Sequence, residues 1–312
     1  MNILITGGCG FTGTVLTEKL LKKKHKVTII DTQWFGNFLK RDKNLKILKK
    51  DIRNINHENF NNIDTIIHLA NIANDPGVEL NPRLSWDVNV LATQKLIEEA
   101  VKSKVKHFIF ASSGSVYGIK KEKNVTENLS LLPISTYNKT KMIAERVLKS
   151  YERDIRLHLI RPATVCGFSP RMRLDVSVNM FVFQALKYKT LNVFGGQQIR
   201  PNIHIKDLIN VYDHFIENPD LPNGAYNAGF ENLKIIEIAK KVSKIIPSKI
   251  KISKNNDPRS YRQNSDKLLS SGFKRKYSVD DAILEIKDKF LDNKFKDSKK
   301  CYTVKWMKKL GL

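Results

Sequence analysis

The sequence predicts an α/β chain built on a doubly wound parallel sheet, with a smaller α/β domain following it. Three observations carry that prediction. Apolar runs of strand length (Ile3 to Ile5, Thr28 to Asp31, Leu45 to Lys49, Asp64 to His68, His107 to Ala111, Ile155 to Ile160) alternate with helical patterns over the first half of the chain. The run at Asp64 to His68 is almost wholly apolar, as a strand buried on both faces must be. Glycines at 7, 8, 10 and 13 separate the first run from an amphipathic stretch ending near Lys24. Strand, glycine turn, helix and strand in that order form the βαβ unit of a Rossmann dinucleotide site.

Within that unit each residue type has a physical task. A glycine lets the chain turn sharply after the strand, another lets the backbone approach a pyrophosphate, and Gly13 lets the helix pack close. Phe11 and Thr12 open the helix, whose first N–H groups and partial positive charge face the phosphates. Gly8, Gly10 and Gly13 fit G-x-G-x-x-G, whereas Gly7, Gly10 and Gly13 fit G-x-x-G-x-x-G, and the spacing alone leaves both registers open. Asp31 ends the second strand 18 residues after Gly13, close to the roughly 20 expected for an acid that accepts the adenine ribose hydroxyls. A carboxylate there repels a 2′-phosphate, so the expected cofactor is NAD. Asp51 and Ile52 follow the third strand, in position for the adenine. Leu69 and Ala70 follow the fourth, at the strand ends where open α/β sheets bind ligands.

Composition narrows the remaining classes. A chain of 312 residues with 41% hydrophobic content can bury a full core with an appended domain. Three cysteines, Cys9, Cys166 and Cys301, are too scattered for a disulfide framework or a four-cysteine metal site. His68 and His204 have no partner at ligand spacing, so no metal is expected and both read as structural. No apolar run approaches the ~18 residues that span a bilayer, and no basic-then-apolar leader precedes Ile3. The expectation is a soluble cytoplasmic protein with no membrane partner. The net charge of +24, from 55 Lys+Arg against 31 Asp+Glu, is spread through every segment. It reads as solvated surface, with no specific nucleic-acid partner.

Further along, residues 81 to 103 carry a helical stripe of Val88, Leu91, Ala92, Leu96, Ile97 and Ala100. Ser135 can cap a helix from Thr136 to Tyr151. Helices are expected at about Val176 to Tyr188, Ile205 to Glu217, Ile235 to Ile246 and Val279 to Phe290, with strand material at Leu191 to Phe194. Residues 1–167 are assigned to the cofactor domain, with elements around 201–227 returning to its sheet. Residues 168–312 are assigned mainly to a substrate domain that ends in a weakly patterned basic arm from Asp292, expected to be peripheral or partly disordered.

The chemistry concentrates in Tyr137-Asn-Lys-Thr-Lys141. At i and i+4 on a helix the two side chains share a face, so Lys141 can lower the Tyr137 phenol pKa and Tyr137 can act as acid or base. Ser113, leaving the neighbouring strand, can donate to the same substrate oxygen. Nine tyrosines in so lysine-rich a chain make about one Tyr-x-x-x-Lys pair expected by chance. Tyr117 and Lys121 supply a second, but they lie in a glycine-flanked loop where i and i+4 have no reason to meet.

Gly7-x-x-Gly10-x-x-Gly13, Asp31, Asp51-Ile52, His68-Leu-Ala70, Ser113-x-x-Val-Tyr-Gly118 and Tyr137-x-x-x-Lys141, then Arg161-Pro162 and Arg200-Pro-Asn-Ile-His204-Ile-x-Asp207, resemble the extended short-chain dehydrogenases. Within these the similarity is to the NAD-dependent nucleotide-sugar epimerase/dehydratase family. The resemblance implies a nucleoside-diphosphate sugar as substrate and a homodimer paired through helices at about 81 to 103 and 136 to 151. It implies that Ser113, Ser115, Thr164 and Asn179 face the substrate. Arg200 would pair with its diphosphate, and Arg259 or Arg262 would supply a second clamp. Thr164 stands where many family members carry asparagine. The stretch Arg161 to Asp175, with Val178-Asn179, is similar to a branch that includes 4-oxidising enzymes of bacterial GDP-heptose pathways. The expected reaction is epimerisation through oxidation at C4 to a 4-keto sugar, with 4-dehydrogenation and release of that sugar as the alternative. A 4,6-dehydratase would need an Asp-Glu pair where Gly114-Ser115 stand. A non-catalytic, RNA-associated relative often lacks the Tyr or the Lys, and this chain has both.

Overall fold

Strand and helix alternate in the first half of the chain because β-branched apolar runs are separated by turns and by stretches with helical period. The computed structural model of the protein describes residues 1–255 and 260–312. It begins with β1 (Asn2–Thr6), α1 (Phe11–Lys22), β2 (Lys26–Asp31), β3 (Leu45–Lys49) and β4 (Thr65–His68). Short α2 (Asp75–Val78) and α3 (Pro82–Trp86) follow, then α4 (Ala92–Lys102), β5 (His107–Ala111), α5 (Thr136–Lys149) and β6 (Arg156–Pro162). The single helix expected over 81 to 103 is interrupted by a π turn at Asp87–Leu91. Asn89 in that turn reaches out of the helix, accepting from Ile72 N at 2.7 Å and donating to Thr140 Oγ1 at 3.1 Å.

The second half contains β7 (Thr164–Cys166), α6 (Ser177–Tyr188), β8 (Thr190–Phe194), β9 (Ile199–His204), α7 (Ile205–Glu217), β10 (Gly224–Ala228), β11 (Glu231–Lys234), α8 (Ile235–Ile245) and β12 (Lys249–Ser253). It ends with α9 (Asp266–Ser270), α10 (Val279–Leu291) and α11 (Thr303–Lys309). The main sheet runs β10-β6-β5-β4-β1-β2-β3, parallel throughout. Strand order reverses between β1 and β4, and that switch point opens a crevice at the strand carboxyl ends. Smaller sheets, β11-β9-β7 and β12-β8, belong to the second half.

Successive residues of each strand serve opposite faces of the main sheet. Ile3, Ile5, Ile29, Ile67 and Ile109 join one core cluster, while Leu4, Ile30, Ile66, Phe108 and Phe110 join the other. Chain from the second half is woven into this frame. β10 adds beside β6, and α7 packs on α1, where Lys19 Nζ meets Asn210 Oδ1 and Asp213 Oδ2, both at 2.7 Å.

The basic C-terminal arm is not peripheral. Cys301 and Met307 are buried, Trp306 Nε1 donates to Trp34 O at 2.6 Å, and Leu174 N donates to Cys301 O at 2.9 Å. A few apolar anchors set among lysines dock the arm without producing a period that sequence reading can detect.

Candidate active site

A cavity of about 860 Å³ follows the switch point. Its floor is the turn from β1 into α1. Gly7 has φ +75°, and a Cβ there would sit 2.6 Å from Ala70 N. A Cβ on Gly13 would lie 2.4 Å from Gly7 O, so the helix can approach the strand only with glycine at that point. Gly10 N donates to Gly7 O at 3.1 Å, whereas Gly8 faces the Ile29 side chain. The register left open by the spacing is therefore Gly7, Gly10, Gly13. α1 has no side-chain cap and no acidic residue in its first turn, so the N–H groups at Phe11 and Thr12 remain available to an anion.

Asp31 ends β2 with Oδ2 accepting from Cys9 N at 2.9 Å and Oδ1 from Gln33 N at 2.6 Å. Burial raises its pKa, and the two amides oppose that shift. Asp51, Ile52, Leu69 and Ala70 line the same end of the cavity, the Asp51 carboxylate held by Arg53 Nη2 at 2.9 Å. A glycine floor that any Cβ would fill, an open helix start and an acid at the second strand fit a dinucleotide.

At the other end stand Ser113, Tyr137 and Lys141. The Ser135 side chain caps α5, accepting from Asn138 N at 3.2 Å and donating to Asp75 Oδ1 at 2.6 Å. That cap fixes the face on which Tyr137 and Lys141 lie one turn apart. Lys141 is 2% exposed; its Nζ donates to Ala111 O at 2.7 Å and sits 4.7 Å from the Phe110 ring centroid. Burial pushes its pKa down to about 7, with the Glu145 carboxylate pulling the other way. The Tyr137 phenol is pushed up to about 12 by burial and then by the Asp75 charge, while Ser113 and Arg173 favour its ionised form. Lys141 was expected to lower the phenol, but it is not among the groups that set its pKa, its ammonium being turned to the Ala111 carbonyl.

Ser113 Oγ and Ser115 Oγ are 2.8 Å apart, and Ser115 Oγ donates to Asn138 Oδ1 at 2.5 Å. Ser115 thus lines the cavity as a link from β5 to α5. Tyr117 is fully buried outside the cavity, donating to Asn227 Oδ1 at 2.8 Å and accepting from Arg161 Nη1 at 2.7 Å. Lys121, its sequence partner, is exposed in a loop, while the Tyr117 hydroxyl is engaged in the interior.

Of the expected substrate residues, Thr164 on β7 and Arg200 on β9 line the cavity. Asn179 does not. It is completely buried, its Oδ1 accepting from Gly167 N at 3.1 Å and its Nδ2 donating to Gly167 O and Arg173 O. A side chain so engaged staples a loop away from the cavity lining. Arg262 is half-buried and outside the cavity lining, which its neighbour Tyr261 joins. Arg259 lies outside the described residues. The histidines are structural: His68 bonds Thr6 Oγ1 and Thr93 Oγ1, and His204 lies 3.3 Å from Glu285 and stacks on Tyr277. All three cysteines are free and buried. No group of three His, Cys, Asp or Glu able to hold a metal occurs among the described residues, and none of their helices is long and apolar enough to cross a membrane.

The sequence reading missed Asp75, Phe35, Arg171, Arg173 and the arm residues Tyr302 to Lys305 and Met307, all of which line the cavity. Arg171 and Arg173 lay in a stretch singled out for its resemblance, and nothing in their spacing separates a cavity arginine from a surface one; the arm residues lay in a segment expected to be peripheral.

Residues 3–229 match the model of the NAD dependent epimerase/dehydratase family. The uncharacterized UDP-glucose epimerase YtcB of Bacillus subtilis is 34% identical over 272 residues, 78% of this chain and 82% of its own. The UDP-glucose 4-epimerase of Lactobacillus helveticus is 27% identical over 91% of this chain and 95% of its own. Among solved structures, UDP-glucuronic acid 4-epimerase from Bacillus cereus, in complex with UDP-glucuronic acid and NAD, superposes with a TM-score of 0.83. It shares 27% identity, covering 94% of this chain and 99% of that one.

Proposed function

The chain belongs to the NAD-dependent epimerase/dehydratase family of nucleotide-sugar enzymes, and from that premise we propose that it inverts C4 of a nucleoside-diphosphate hexose through a 4-keto intermediate. The observation that carries the reading is the meeting of Ser113, Tyr137 and Lys141 in one cavity with the glycine turn. Bound NAD supplies a hydride acceptor that can return what it takes. Tyr137 Oη, as the phenolate that the positive charge of bound oxidised NAD would favour, removes the C4 hydroxyl proton and gives it back after the ketosugar turns its other face. Ser113 Oγ, held by Ser115, donates to the same sugar oxygen and orients it. Lys141 Nζ, anchored on Ala111 O, lines the cavity one turn from Tyr137, where it would hold the nicotinamide ribose.

Dehydration lacks its acid and base. The carboxylates lining the cavity among the described residues are Asp31, Asp51, Asp75 and Asp175. Asp31 is bound to backbone amides, Asp51 to Arg53, Asp175 to Arg173, and Asp75 accepts from Ser135. Glu127, a distant candidate for the missing base, accepts from Asn227 N at 2.7 Å outside the cavity. The second reading is a 4-dehydrogenase that releases the ketosugar. Thr164 favours it, because it lines the cavity where the resemblance places an asparagine contact to the sugar.

The relatives named above support a UDP-hexose as the first substrate to test. Purified protein incubated with UDP-glucose and NAD is expected to give UDP-galactose with no accumulation of NADH. Stoichiometric NADH, or reduction of an added 2-oxo acid that recycles it, would replace the epimerase with the 4-dehydrogenase.

A further inference from the structure

Arg171 is 5% exposed and lines the cavity, yet its Nε and Nη1 have no hydrogen-bond partner among the described residues. A guanidinium is rarely left this way, because an unpaired buried charge is costly unless a counter-ion arrives. The carboxylates near it are already engaged. Asp175 holds Arg173 and accepts from Thr303 N at 2.8 Å, and both Asp31 oxygens receive backbone N–H groups. Burial and the neighbouring Arg173 charge push the Arg171 pKa down to about 10, outweighing the opposing pull of Asp175 and Asp31.

Its placement identifies what would compensate it. The guanidinium carbon lies 4.0 Å from the Phe35 ring centroid, just past Asp31. Two residues earlier in the same loop, Ser169 Oγ donates to Phe11 O at 2.8 Å, which pins this loop over the first residue of α1. Arg171 is thereby brought to the cofactor end of the cavity, opposite the uncapped helix start. The C-terminal arm closes over it, through Leu174 N to Cys301 O and Trp306 Nε1 to Trp34 O.

We infer that Arg171 is the second half of the diphosphate site for the dinucleotide: the substrate domain lowers a bidentate cation onto the anion that α1 receives from below. The grip joins the two halves of the molecule through the cofactor and favours retention of NAD across turnovers. The inference rests on the NAD part of the proposed function and is independent of which sugar is used.

The test is calorimetric titration of cofactor-stripped protein with NAD and with ADP-ribose, and of NAD-saturated protein with UDP. Arg171→Met keeps the apolar stem over Phe35 and removes the charge. It is expected to raise Kd for NAD and ADP-ribose alike, by about tenfold or more, and to leave UDP affinity unchanged. Arg171→Lys, which keeps charge without the fork, should fall between the two. Unchanged NAD affinity in Arg171→Met overturns the inference, and so does a loss of UDP affinity with NAD binding intact. If Arg171→Met does not fold, Arg171→Lys decides: unchanged NAD and ADP-ribose affinity overturns the inference, and a severalfold loss confined to them supports it. Stoichiometric NADH release from the sugar substrate would sink the epimerase reading while leaving these affinities untouched.

Discussion

Arg161 holds Glu145 by two parallel bonds, Nε to Oε1 at 2.9 Å and Nη2 to Oε2 at 2.6 Å, with side chains 3% and 2% exposed. Ser112 also donates to Glu145, and Arg161 donates to the Tyr117 hydroxyl. Since Glu145 is one turn beyond Lys141 on α5, this pair locks the catalytic helix to the end of β6. Glu145→Ala leaves a buried cation unpaired and is expected to cost about 3–5 kcal/mol, read from urea midpoints. Glu145→Leu combined with Arg161→Met should recover most of that loss. A neutral single variant would show that the pair does not hold the helix.

Tyr137→Phe removes the proton carrier and nothing that touches the cofactor end. Turnover is expected to fall by about 10² to 10⁴-fold, with NAD affinity within about twofold of the parent. Equal loss of NAD binding would mean that the phenol holds cofactor instead of moving a proton.

Acid should weaken the fold through buried histidines. Burial, with the Lys141 charge adding to it, lowers the His68 pKa to about 3, and burial also lowers those of His107 and His158, which bond each other at 2.7 Å. Each is neutral in the folded protein but takes a proton in the unfolded chain below about pH 6.5. The unfolded state then binds more protons, so stability falls as pH drops from about 6.5 towards 4, by up to about 1.4 kcal/mol per pH unit for each histidine. Urea midpoints of wild type and His68→Gln at several pH values check this: the variant should be less stable at neutral pH but show the shallower slope.

The stripe expected on the helix at 81 to 103 divides between core and surface. Val88 and Ala92 are buried, whereas Leu91 is 58% exposed beside α5. If the homodimer forms through α4 and α5, Leu91 is at its seam, and Leu91→Glu should convert a dimer mass to a monomer mass by light scattering. A monomeric wild type would remove the dimer altogether.

Sequence reading found what short spacings dictate. The glycine turn, Asp31, the strand-end serine and the Tyr-x-x-x-Lys helix all depend on local geometry, and the helix bounds after residue 176 fall within a residue or two of those expected. Elements around 201–227 were expected to return to the sheet, but the strands Arg200-Pro-Asn-Ile-His204 and Gly224-Ala-Tyr-Asn-Ala228 were not legible as strands, because Asn202 and Asn227, each bonded to neighbouring backbone, break the apolar pattern. Asn179 shows a related limit: an amide has the same appearance in sequence whether it meets a ligand or a loop carbonyl, and only the fold shows its bonds to Gly167 O and Arg173 O. Arg171 and the arm depend on contacts across more than a hundred residues, which no window along the chain contains.

The position of β10 also bears on biosynthesis. Its partner β6 ends at Pro162, but the strand that covers it ends at Ala228, with α6, β8, β9 and α7 between them. On the ribosome, the outer edge of β6 therefore stays bare while that whole stretch is made, offering unpaired N–H and C=O groups to any other extended chain. The sheet cannot finish until residue 228 has emerged, which makes slow or truncated synthesis between residues 163 and 228 a point of exposure to aggregation.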